Sequence, residues 1–224
     1  DRQVGNNTRR GVAIEPYFGG SHRAGLNGWE THSAHDFTRG DLPAFHWKWR
    51  MRHSAITLAD EVNRLASQGE RWDVIFCSDM LNLAEWKGLV DSQVASLPKV
   101  LYFHENQLSY PWSPIDRDKM NKRDAHYSII NYSSALSADH VLFNSRFHMN
   151  TFLTDLKPFL KHFPDYNEIE TIDTIRYKSE VLNIGLDLRT FDTYEEKNHY
   201  KPLILWNHRW EYDKNPELFF NTLK

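Results

Sequence analysis

The sequence predicts an α/β fold, a mostly parallel sheet with helices on both faces, and two observations carry that prediction. Short apolar runs recur along the chain, and each is followed by a stretch with helical spacing. Taken in order, the strand candidates are Gly11–Glu15, Trp72–Cys77, Lys99–Phe103, Asp139–Phe143, Glu180–Ile184 and Pro202–Trp206. Between the first two, Ser54–Ser67 carries Ala55, Ala59, Val62 and Leu65 at helical intervals behind a serine cap. Ser145–Leu156 opens the same way after the fourth strand. Strands that alternate with helices need right-handed crossovers, and these cover both faces of a parallel sheet.

Sheets of this kind bind ligands beyond the C-terminal ends of their strands. That rule singles out Tyr17–His22, Ser78–Asn82, His104–Pro111, Asn144–Ser145 and Asn207–Lys214, where polar residues and glycines gather. Asp1–Arg10 is polar and reads as a loose leader, as expected of a processed or trimmed N-terminus. The charged segment Tyr194–Lys201 suits a linker, with a boundary near residue 195. The expected organisation is therefore 1–10 leader, 11–195 first lobe, and 196–224 linker with the start of a second lobe.

Bulk composition narrows the function classes. With 40% hydrophobic and 14% aromatic residues the chain can bury a large core, so wholesale disorder is excluded. A formal net charge of −3 means that any contact with a polyanion must come from a local patch. The single cysteine, Cys77, lies in an apolar run and reads as a buried structural thiol, which fits a reducing compartment. No apolar run approaches membrane-spanning length, so the expected location is cytoplasmic and no membrane partner is expected.

Four segments hold candidate chemistry. Gly19 and Gly20 follow the first strand, where backbone N–H groups can approach a phosphate or a sugar, although a plain strand-to-helix turn needs the same glycines. His104, Glu105 and Asn106 end a strongly apolar strand at the expected site edge. His104 is the first catalytic candidate, the alternative being a histidine bonded within its loop. Phe45–His53 alternates rings with cations. Read as a strand, it would present aromatic residues on one face and charges on the other, suited to stacking on bases and pairing with phosphates, or simply a half-buried strand with a solvated face. Arg117, Lys119, Lys122 and Arg123 read as a solvated helix start. Arg209 and Lys214, the latter opening a helix over Lys214–Lys224, are placed to grip a diphosphate, or else belong to a surface ion-pair network with Glu211 and Asp213. No zinc-ligand spacing occurs, so no zinc site and no other cofactor is expected.

Glu15–His22, His46–Ala55, Leu81–Leu83, Tyr102–Pro111, Val141–Leu153 and Leu203–Phe220, in order over nearly the whole chain from Gly11, resemble the tRNA-queuosine alpha-mannosyltransferases. The resemblance implies a GT-B architecture of two Rossmann-like lobes, of which this chain would be mainly the N-terminal, acceptor-side one. It implies transfer of mannose from the nucleotide-sugar GDP-mannose to a hydroxyl of queuosine in the anticodon of aspartate tRNA, with retained anomeric configuration and no metal. By the same resemblance, Gly19 and Gly20 lie near the donor phosphates, His104 faces the transferring sugar, and Arg209 and Lys214 bind the diphosphate. Acceptor or RNA contacts are expected of His46, Trp47, Lys48, Trp49, Arg50, Arg52, Glu105 and Asn106. Because the family's donor lobe continues past Lys224, little turnover is expected of this segment alone. Two rival readings are a non-catalytic RNA-binding module and a glycosyltransferase with a small-molecule or lipid acceptor.

Overall fold

A computed structural model describes residues 8–114, 116, 126–192 and 203–224. The cluster Arg117, Lys119, Lys122 and Arg123, the linker segment Tyr194–Lys201 and most of the leader lie outside the described residues. The described residues fall into two units, one within Asp1–Tyr110 and Ala125–Gly185, the other within Pro111–Asp124 and Leu186–Lys224.

The first unit is built on six strands: β1 (Arg10–Phe18), β2 (Asp36–Pro43), β3 (Val74–Ser78), β4 (Lys99–Phe103), β5 (His140–Phe143) and β6 (Ser179–Val181). Every pairing is parallel and the order is β2-β1-β3-β4-β5-β6. This is an α/β, Rossmann-like sheet. The inner strands are apolar on both faces because helices cover both, and Val12, Ile14, Ile75, Cys77, Leu101, Phe103, Val141 and Phe143 are buried in one core. Burial pushes the Cys77 thiol upward, and its Sγ lies 3.7 Å from the Val100 carbonyl.

The helices are α1 (Gly20–His32), α2 (Trp47–Ser67), α3 (Leu83–Leu89), α4 (Ser92–Ala95), α5 (His126–Ser137), α6 (Arg146–Lys161) and α7 (Thr171–Tyr177). Ser145 caps α6, its hydroxyl accepting from the His148 N–H at 3.1 Å. The serine at 54 is no cap. The helix begins seven residues earlier at Trp47, and Ser54 is buried among Met51, Ala55, Leu58, Ala59 and Val62 on its core face.

Three further expectations change. Arg10 belongs to β1 rather than to a leader, its N–H bonding Asp73 Oδ2 at 2.8 Å. Leu203–Trp206 is not a strand among the described residues. In the second unit the helix spans Pro216–Thr222, while Lys214 sits in a preceding 3-10 turn, Tyr212–Lys214, because Asn215 takes a left-handed conformation and Pro216 starts the helix. Trp206, Phe219 and Phe220 pack together there, with Trp210 stacked on Phe220 at 5.3 Å. Among the described residues no helix is long and apolar enough to cross a membrane.

Candidate functional site

Strand order reverses between β1 and β3, since β1 leads outward to β2 while the chain crosses back to β3 and continues through β6. Such a switch point leaves a crevice outside the strand ends because the adjoining crossovers depart to opposite faces. Glu15 on β1, His22 on α1, Ser78 and Asp79 at the end of β3, and His104 after β4 gather there.

Glu15 is 3% exposed, and its carboxylate is held by three donors. Oε1 accepts from the Tyr17 N–H and the Ser78 hydroxyl, both at 2.9 Å, and Oε2 meets His22 Nδ1 at 3.1 Å. Burial alone would lower the His22 pKa. The bond to Glu15 and the negative charges of Glu15, Asp79 and Glu105 outweigh it and raise His22 to about 9. His22 is thus an imidazolium at neutral pH.

The His104 ring lies against His22, centroids 4.0 Å apart with planes inclined by 31°, and Tyr102 meets it edge-on at 4.8 Å. Its backbone is fixed on both sides: the N–H donates to Asp79 Oδ1 at 2.8 Å, and the carbonyl accepts from Asn144 Nδ2 at 2.8 Å. Burial, with the charges of His22 and His148, pushes its pKa down to about 3, so the ring is neutral. Nδ1 is sealed in without a hydrogen-bond partner. Nδ1 is closed to a ligand in either tautomer, so Nε2 is the ring nitrogen through which His104 can meet one.

His148 is a second neutral histidine. Its Nδ1 bonds Asn144 Oδ1 at 2.9 Å, and burial lowers its pKa to about 4. Asp79 is 1% exposed, and burial, partly offset by His22, raises its carboxyl to about 7. Glu15, His22 and His104 each bring one nitrogen or oxygen within 4.8 Å of the others. Glu15 and His22 already bond one another, and the trio reads as an ion pair beside a neutral ring.

Sequence reasoning missed Asn131, which ties the two central loops together. From α5 its Nδ2 donates to the Asp79 carbonyl at 3.0 Å, and its Oδ1 accepts from the Gln107 N–H at 2.7 Å. An asparagine on the buried stripe of an otherwise packed helix is the signal for it. Asn131→Ala leaves both groups unpaired and is expected to cost about 1–3 kcal/mol in urea unfolding.

Stability should also follow these charge states. His22, raised above its ordinary value, contributes stability that is complete below pH 6.5 and lost as pH rises toward about 9. His104 and His148, lowered to about 3 and 4, cause stability to fall as pH drops below 6.5, because the unfolded chain takes up the protons first. The raised carboxyl of Asp79 opposes one of these two losses between 3.8 and about 7. The expected urea midpoint therefore peaks near pH 6.5 and declines on both sides.

The remaining predicted residues divide. Gly20 takes a left-handed φ of +52°, and nothing lies within 4 Å of where its Cβ would stand, so the start of α1 is open there. Gly19 is extended and packs against Ala44, whose Cβ a side chain at 19 would strike. Asn106 is 3% exposed and spends its side chain on its own turn, accepting from the N–H groups of Leu108 and Ser109 at 3.0 and 2.9 Å. Glu105 bonds Gln107 Nε2 at 3.2 Å.

Phe45–His53 is not a strand. His46 caps α2 in a left-handed conformation, and the helical period sends Trp47 inward against Tyr127 at 5.1 Å while Trp49, Arg52, His53 and Ile56 share an outer face. Trp49 is 58% exposed and stacks on His53 at 4.9 Å. The Arg52 guanidinium lies 5.1 Å from the Tyr127 ring centroid, and Lys48 lies 5.5 Å from that of Trp47. Arg50 is occupied, donating to the Pro43 carbonyl at 3.0 Å and touching His53 at 3.0 Å. In the second unit Lys214 pairs with Asp213 at 2.7 Å, and Arg209 is exposed.

Residues 11–186 match the family described as tRNA-queuosine alpha-mannosyltransferase N-terminal. A Drosophila melanogaster protein named tRNA-queuosine alpha-mannosyltransferase is 36% identical over 225 residues, an alignment covering 95% of this chain and 56% of that protein. The chain thus spans about half the length of this relative. Matched by the family over residues 11–186 and by this relative over 95% of its length, the chain belongs to the tRNA-queuosine alpha-mannosyltransferase family.

Proposed function

We propose that this chain is the acceptor-side lobe of a glycosyltransferase that moves mannose from GDP-mannose to a hydroxyl of queuosine in the anticodon of aspartate tRNA. The observation that carries the reading is neutral His104 at the β1/β3 switch point, with only Nε2 available to a ligand. The family membership supports the sugar and the acceptor. A hydrogen bond between Nε2 and a sugar hydroxyl would fix the sugar's orientation above the sheet. In the transfer, the bond between the anomeric carbon and the diphosphate oxygen breaks, and GDP leaves with the electron pair. The acceptor oxygen bonds the same carbon from the same face, giving retention, and its proton passes to the departing phosphate.

The open start of α1 at Gly20 is a suitable place for the donor phosphates, because no acidic residue lies in its first turn. Arg209 and Lys214 would neutralise the leaving diphosphate, with Lys214 exchanging Asp213 for it. No metal ion is called on, and the reaction needs no other cofactor. Trp49 and Arg52, with Lys48, supply a stacking ring and cations for the anticodon loop. A cytoplasmic location, where tRNA and nucleotide-sugars meet, completes the reading.

The test is transfer of labelled mannose from GDP-mannose by full-length protein to tRNA with and without queuosine. Label confined to queuosine-containing tRNA is expected. Label on a small-molecule or lipid acceptor instead, or salt-sensitive tRNA binding with no transfer, would replace this reading.

A further inference from the structure

His22 is the buried charge that the reaction sketched above leaves unused, and its setting is more elaborate than a packing role requires. It lies in the first turn of α1, 8% exposed, with one face of its ring against His104. Its partner Glu15 is joined to β3 through the Ser78 hydroxyl and to its own strand through the Tyr17 N–H, which anchors the carboxylate. Gly25, one turn further along α1, faces the same ring, and a Cβ there would meet His104 Cε1 at 3.4 Å, an ordinary van der Waals contact. Together α1 and β1 shape the slot that holds His104.

We propose that Glu15 and His22 form a positioning pair, in which the anchored carboxylate holds the His22 ring against His104 and so fixes the direction in which Nε2 meets a substrate oxygen. The proposal rests on the reading of His104 as the sugar-facing group. His22 itself touches no substrate and acts only through His104. A cation on the face of an imidazole is held by the ring's electron density and opposes addition of a second proton, so one contact sets both orientation and charge. The ionisable groups that bear on the two rings come from every neighbouring element: Glu15 from β1, Asp79 from the end of β3, Glu105 after β4, and His148 from α6. Three of these are carboxyl groups that favour the charge on His22, whereas His22 and His148 oppose one on His104.

The experiment combines histidine ring NMR against pH with transfer kinetics, on full-length wild type, His22→Asn and His22→Phe. Asparagine keeps a donor for Glu15 without the ring or the charge, and phenylalanine keeps a ring without the charge. In wild type, His22 is expected to titrate near 9 and His104 near 3. In His22→Asn the His104 titration moves upward toward the ordinary range, and kcat falls about 10-fold or more with KM for the nucleotide-sugar nearly unchanged, since an interaction that orients a reacting group is felt in the chemical step. A wild-type His22 that titrates at its ordinary value overturns the pairing without any variant. So does an unmoved His104 titration in His22→Asn, or a kcat within about 2-fold of wild type in both variants. If wild-type protein transfers no mannose, the reaction reading fails, and the titrations alone decide the pairing.

Discussion

Replacing His104 with alanine in full-length protein is expected to lower kcat/KM for mannose transfer about 100-fold or more, the usual loss when a preorganised hydrogen-bonding group is removed from a reacting group. The fold should survive. The core of the sheet runs through Phe103 and Phe143, stacked at 4.9 Å, whereas His104 stands just past the strand end and is only partly buried. The backbone bonds to Asp79 and Asn144 are made by the residue's N–H and carbonyl and persist whatever the side chain. Glutamine at this position restores a hydrogen-bonding amide without a titrating ring, so it should recover part of the rate. Initial rates with labelled GDP-mannose measure both, and an undiminished rate in the alanine variant would remove His104 from the reaction.

The second large effect is expected on the outer face of α2. Trp49→Ala should weaken tRNA binding about 10-fold, because stacking of one base on an aromatic ring contributes on the order of 1–3 kcal/mol. Arg52→Glu should weaken it as well and reduce the salt dependence of binding by about one phosphate contact or more. Both side chains are exposed, so neither change should disturb folding. Trp47→Ala behaves differently: its ring packs against the buried Met51, Met80, Tyr127 and Ile130, and its loss should show as a lower unfolding midpoint. Filter binding across a salt series separates these cases, and equal tRNA binding by wild type and the Trp49 variant would reassign the face.

How much of this was legible in the sequence depended on whether a residue's role is set by its neighbours in the chain. The inner strands could be read because burial on both faces makes Val12–Ile14, Ile75–Cys77 and Leu101–Phe103 continuously apolar. β2 could not, since Asp36–Pro43 lies at the sheet edge, where Arg39 pairs with Glu30 and no apolar run is needed. The alternation in Phe45–His53 suited a strand locally, and the helix that continues to Ser67 overrode it, carrying Trp47 inward. His104 was singled out by its place after an apolar strand, and it does follow β4 and lie against His22. Glu15 and His22 lay in a segment read for its glycines, and the bond that gives Glu15 its meaning comes from Ser78, 63 positions away. Asn131 likewise reaches Asp79 across 52 positions. Contacts of that range leave no periodicity to read.

A crystal structure of full-length protein with a non-transferable GDP-mannose analogue would locate the transferring sugar relative to the β1/β3 switch point and His104. The expected result is a sugar hydroxyl at hydrogen-bond distance from His104 Nε2, with the His22 ring still against His104 and bonded to Glu15. A sugar held elsewhere, with the His104 ring facing only protein or solvent, would contradict that placement.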